Sequence, residues 1–236
     1  MIKKNKEIIV ENWGVQSYND AWAKQEKILQ SIINIKKTNR KSRINKKTLN
    51  YLIFLEHNPV YTIGKSGDIN NLLIDNPILK KKNIEFFRTN RGGDITFHGP
   101  GQLVVYPILD LDNFFTDIHK YLRLLEDVVI FSLNEFNIQA ERIVGETGVW
   151  IKGKKSLPNK ICAMGVRASR WVTMHGFALN INTDLSYFDN IIPCGIRKKG
   201  VTSMKKELNK KISTQEVKSV IQFHFKKIFD AKLKVN

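Results

Sequence analysis

The sequence predicts an α+β domain, a mixed sheet layered with helices, on three observations. Apolar residues recur at helical spacing near both ends of the 236-residue chain, and its centre is a succession of short apolar runs of strand length. Strands and helices do not alternate in the regular order that a parallel βαβ sheet requires. A dinucleotide fingerprint also fails, because Gly99-Pro100-Gly101 is followed by Val104 where glycine is needed. With no internal repeat, a length of 236 residues fits a single domain spanning 1–236.

The elements follow in order. Tyr18, Ala21, Trp22, Gln25, Ile28 and Ile32 mark an amphipathic helix after a cap at Ser17. The basic run from Lys36 to Lys47 has no apolar period and reads as an exposed loop. Tyr51 to Leu55 reads as a buried strand leading through Glu56-His57-Asn58-Pro59 to a second at Val60 to Gly64. Gly64-Lys65-Ser66 is no phosphate loop, since Pro59 stands where that motif needs glycine. A strand over Gln102 to Leu111 precedes a long helix with an inner face of Ile118, Tyr121, Leu122, Leu125, Val128, Val129 and Phe136. Short strands are expected at Gln139 to Val144, Gly148 to Lys152, Lys160 to Val166 and Trp171 to Ile181. Ser213 and Glu216 form a capping box for a last helix with Val217, Val220, Ile221 and Ile228 inward, and His224 on that face reads as structural.

Composition narrows the function classes. The apolar run Ile8-Ile9-Val10 is too short for a signal peptide's hydrophobic region, and nothing approaches a membrane span, so a soluble cytoplasmic protein is expected. A formal charge of +17 suits a polyanionic partner or reflects lysine-rich drift. The basic run lacks the interleaved aromatics that stack on bases, which argues against nucleic acid. No close Cys/His spacing suggests zinc or another metal.

The densest chemistry lies in Arg91-Gly92-Gly93-Asp94-Ile95-Thr96-Phe97-His98-Gly99-Pro100-Gly101-Gln102. Glycines let a ligand approach the main-chain amides, and the guanidinium and imidazole beside them exceed what a plain hairpin turn requires. Of two thiols, Cys194 is presented by Pro193 and Gly195, whereas Cys162 sits in an alternating strand as packing. At neutral pH a thiol of ordinary pKa, about 8.5, is only about 3% thiolate, so a reactive one needs a nearby cation. Lys160 is a candidate, although spacing alone favours a strand-end surface lysine. His98 and His175, each beside glycine, could exchange protons, leaving a Cys/His pair open as well.

Arg91-Gly92-Gly93-x-x-Thr96-Phe97-His98-x-x-Gly101-Gln102-x-Val104-x-Tyr106 resembles the signature of the lipoyl(octanoyl) transferases. Glu56 to Gly64, Lys160 to Arg167 and Pro193-Cys194-Gly195 agree with that family in order. The resemblance implies the domain shared with biotin and lipoate protein ligases. It also implies transfer of octanoyl from octanoyl-acyl carrier protein, through a thioester on Cys194, to a lysine of lipoyl domains. Acceptors would be the 2-oxoacid dehydrogenase complexes and the glycine cleavage H protein, with no cofactor and no ATP. It makes Lys160 the cation that lowers the thiol pKa, reversing the reading from spacing. Substrate contacts carry over to Arg91, Gly92, Gly93, Asp94, Ile95, Thr96, Phe97 and His98, to Ala163, Met164 and Gly165, and to Gly176, Phe177 and Ala178. The chain departs from the pattern at Cys162, usually Ala, at Asn58, usually Pro, and in an added basic loop over Thr38 to Thr48. Competing readings are an ATP-dependent lipoate ligase, a transferase between lipoyl proteins and, from another class, a basic nucleic-acid-binding module.

Overall fold

A computed structural model describes residues 4–153, 157–192 and 200–235. These form an eight-stranded mixed sheet, a three-stranded sheet and five α-helices. In chain order the elements are β1 (Glu7–Gln16), α1 (Tyr18–Ser42), β2 (Tyr51–His57), β3 (Val60–Ile63), α2 (Asn76–Lys81), β4 (Glu85–Arg88), β5 (Thr96–His98), β6 (Gln102–Ile108), α3 (Ile118–Asn134), β7 (Val149–Ile151), β8 (Asn159–Ser169), β9 (Val172–Asn180), β10 (Gly200–Val201), α4 (Met204–Leu208), α5 (Thr214–Ile228) and β11 (Lys232–Val235).

The large sheet runs β10-β8-β9-β6-β2-β1-β11, with β7 also paired to β8. Strands β2, β6, β9 and β8 pair antiparallel, while β1 pairs parallel with both β2 and β11. Every residue of β6 and β9 is buried, as central strands covered on both faces must be. Alternate side chains divide between two cores. Leu52, Phe54, Leu103 and Val105 face α3 and α5, whereas Ile53, Leu55, Val104 and Tyr106 face α1. The small sheet, β4-β3-β5, carries its own cluster around Tyr61, Ile63, Phe97 and Phe188.

The caps expected at Ser17 and Ser213 form, each hydroxyl accepting from a main-chain N–H three residues on. Two expectations fail. Residues 36–42 continue α1 instead of forming a loop. Lysine and arginine are good helix formers, and Lys36 is tied to Asp110 and, at 2.8 Å, to Asp112. Residues 139–144 form no strand beyond a bridge from Glu141 to Trp150. No described helix is long and apolar enough to cross a membrane.

Candidate active site

A cavity of about 350 Å³ lies between β6, β8 and β9 of the large sheet and the segment from Arg91 to His98. Its floor is made of small residues. Ala163 pairs with Ala178 and Gly165 with Gly176, so β8 and β9 present little side-chain bulk to the cavity. Gly165 is required for a further reason: a Cβ there would lie 2.7 Å from the Gly92 carbonyl oxygen, where the loop rests on β8. Met164 and Phe177 also line the cavity, although their side chains pack with the α3 core.

Of the loop residues, Arg91, Gly93, Asp94, Ile95, Thr96 and His98 border the cavity. Phe97 does not. On β5 the alternation turns Thr96 and His98 inward and sends Phe97 the other way, stacked on Tyr187 at a centroid distance of 4.4 Å. Gly92 lies off the cavity as well, its N–H donating to Val166 O. The Arg91 guanidinium is largely engaged by the protein itself. Nη2 donates to Thr62 O (2.7 Å), Thr62 Oγ1 (2.8 Å) and Asp94 O (2.9 Å), and Nη1 to Gly92 O (3.0 Å). It therefore shapes the loop from within.

Lys160 is buried, with 9% of its surface exposed, which overturns the surface-lysine reading from spacing. A β-bulge explains its direction. Val149 pairs with Cys162 while Trp150 pairs with Lys160, leaving Ile161 as the extra residue. Ile161 and Cys162 both enter the α3 core, and the skipped alternation puts Lys160 on the cavity side with Ala163. The lysine Nζ lies 4.5 Å from the centroid of the buried Trp150 ring, a cation–π contact. Its stem lies along Gly148, which has φ +117° and could carry no side chain, since a Cβ would meet Cys162 O at 2.6 Å. Gly148 N–H donates to the fully buried Glu126, whose carboxylate also receives Arg123 and Arg142.

Cys162 is fully buried, and burial, reinforced by the Glu126 charge, pushes its thiol pKa far up. It is packing, as its strand position implies. Cys194, the thiol read as reactive, lies outside the described residues. Both described flanks of its segment are anchored beside the cavity. Ile192 N–H donates to Asn71 O at 2.8 Å, and Thr202 N–H to Lys160 O at 3.0 Å.

His98 and His175, expected from the sequence, belong to an aromatic and imidazole cluster beside the loop whose other members, His57, Tyr18 and Tyr106, were not expected. His57 Nδ1 donates to Gln16 O, so its Nε2 accepts the Tyr106 hydroxyl at 2.7 Å. Tyr18 stacks on His98 and contacts His57. Burial depresses the pKa of His57 to about 4 and that of His175 to about 3, the latter helped by Arg91 and Arg167. Burial, His57 and Arg91 hold His98 well below the ordinary range too. His175 adopts φ +60° and contacts Asn90 Oδ1 through Nε2 at 2.8 Å. The signal that could have found this cluster is an imidazole in each of three apolar strand segments.

Comparison with known proteins agrees with this architecture. A model of the lipoyl protein ligase A/B catalytic domain matches residues 17–226. An octanoyltransferase of Christiangramia forsetii is 58% identical over 231 residues, 98% of this chain and 99% of that one. One from Flavobacterium johnsoniae is 56% identical over 97% of this chain and 99% of its own. A bipartite lipoate protein ligase from Thermoplasma acidophilum, described with its E2 lipoyl domain, superposes with a TM-score of 0.71 at 18% identity, covering 99% of this chain and 86% of that one. The last shows a shared fold; the first three show that the chain belongs to the lipoyl protein ligase A/B catalytic-domain family, among its octanoyltransferases.

Proposed function

We propose that this chain transfers octanoyl from octanoyl-acyl carrier protein to a lysine of a lipoyl domain through a thioester on Cys194, acting in the cytoplasm as one domain over residues 1–236. The observation that carries the reading is the cavity with a floor of alanine and glycine and the buried Lys160 beside the anchored flanks of the Cys194 segment. Such a floor suits an unbranched acyl chain, each buried methylene contributing about 0.8 kcal/mol.

The Cys194 thiolate attacks the donor thioester carbon. A new C–S bond forms, the bond to the carrier's sulfur breaks, and that sulfur leaves as a thiolate that takes up a proton. The acceptor amine then attacks the acyl-enzyme, forming the amide, losing its proton and restoring the cysteine. Lys160 supplies the positive charge that favours the thiolate, and main-chain amides of the glycine loop stabilise the oxyanion. Thioester exchange is nearly balanced and the final amide makes transfer downhill, so ATP is not consumed. Acceptors are the lipoyl domains of 2-oxoacid dehydrogenase complexes and the glycine cleavage H protein.

The test compares wild type with Cys194→Ser, given octanoyl carrier protein and a lipoyl domain, or free octanoate with ATP. Transfer that needs no ATP and vanishes in the variant supports the proposal. An ATP-dependent activity that survives the substitution would establish the ligase reading instead.

A further inference from the structure

The glycine-loop residues Asp94 and His98 reach toward the main chain on either side of segment 193–199 through neighbouring amide side chains. On one side, Asn180 Nδ2 donates to Thr202 O at 3.0 Å, and that carbonyl can only accept. Asn180 Oδ1 therefore faces Gln102 and accepts from its Nε2 at 2.9 Å. The same Nε2 donates to a second carbonyl, Phe97 O, at 3.1 Å, which fixes the amide independently. Gln102 Oε1 is thus left facing His98 Nδ1 at 2.8 Å, so the ring carries its proton on Nδ1. The remaining nitrogen, Nε2, lies 3.4 Å from Thr62 Oγ1, which accepts from Arg91 and has its own proton to offer. On the other side, Asp94 Oδ2 accepts from Asn71 Nδ2 at 2.7 Å, and Asn71 O accepts from Ile192 N–H at 2.8 Å.

We infer that His98 and Asp94 are positioning residues, holding Thr202 and Ile192 through Gln102–Asn180 and Asn71, and that His98 is not the base that deprotonates the acceptor lysine. The geometry carries this: both His98 nitrogens face protein partners, and the tautomer is dictated by two main-chain carbonyls at a distance. The inference rests on Cys194 being the nucleophile that the two flanks present.

Single-turnover acylation by octanoyl carrier protein and the separate deacylation by a lipoyl domain distinguish the roles. His98→Ala is expected to slow both steps together by about tenfold, the effect of one lost hydrogen bond of ordinary strength. His98→Asn should recover most of that loss, because its amide nitrogen, like Nδ1, is bonded to Cγ. Asn180→Asp keeps His98 but cannot donate to Thr202 O, so it should reproduce the His98→Ala defect, and it serves as the test should His98→Ala fail to fold. Asp94→Ala should slow both steps and speed hydrogen exchange at the Ile192 amide. Loss of deacylation alone, with no rescue by Asn and with Asn180→Asp unaffected, would make His98 the base and overturn the inference; so would unchanged rates in all variants. If the wild type takes up no acyl group, the Cys194 reading fails separately, and unchanged Ile192 exchange in Asp94→Ala would then refute the positioning role.

Discussion

Acid should destabilise this fold well before its surface carboxylates titrate. His57 and His175, almost completely buried, have folded pKa values of about 4 and about 3 against an ordinary 6.5. A depressed imidazole pKa means that the unfolded chain binds the proton more readily, so the stability is fully present above pH 6.5 and is lost as pH falls toward the folded values. At pH 5 an unfolded imidazole is protonated roughly 30:1 while each folded one stays neutral, a loss of about 2 kcal/mol per histidine and about 4 for the pair. His98 adds in the same direction. Glu7, Asp184 and Asp230 have lowered pKa values, keep their contribution above ordinary values of 4.5, 3.8 and 3.8, and lose it only as the pH falls below those values through their depressed folded ones. Urea unfolding at pH 8 and pH 5 reads the difference. With a slope of about 2 kcal/mol per molar, the midpoint should drop by roughly 2 M, and His57→Gln should remove about half of that drop. Equal midpoints at the two pH values, or a His57→Gln variant with the wild-type pH dependence, would refute the argument.

Other consequences follow from the same structure. Ala178→Leu should fill part of the cavity floor and displace two or three methylenes of the acyl chain, at about fourfold in kcat/KM for each, while a butyryl donor is spared; competition between acyl carriers of different length reads this. Glu126→Ala should cost about 2 kcal/mol in a thermal melt, because it leaves the buried Gly148 N–H without an acceptor behind Lys160 and removes the fully buried carboxylate that Arg123 and Arg142 share. With a formal charge of +17 suited to polyanionic partners, the rate of the proposed transfer between protein substrates should fall as ionic strength rises, and a salt-independent rate would detach the charge from function.

Local pattern carried α1, α3 and α5 through their apolar periods, with Ser17 and Ser213 capping the first and last, and it carried β6, a nearly continuous apolar run, and β9, apolar between Thr173, His175 and Asn180. Strands β1 and β11 were not legible. Their pairing joins Glu7 to Lys232, and the four residues of β11 alternate lysine with apolar residues as a surface segment would. The aim of Lys160 depends on one extra residue in β8, and a bulge leaves no mark in spacing. The loop was legible as a site through its glycines, yet the roles within it were not. That Arg91 turns inward and Phe97 outward depends on contacts with Thr62 and Tyr187, which are distant in sequence.

The mass of the protein after brief mixing with octanoyl-acyl carrier protein in the absence of an acceptor tests the thioester on Cys194 most directly. One added octanoyl group is expected, located on Cys194 by peptide fragmentation, labile to hydroxylamine and lost when a lipoyl domain is added. An unmodified Cys194 under these conditions, with the lipoyl domain still octanoylated once it is supplied, would contradict it.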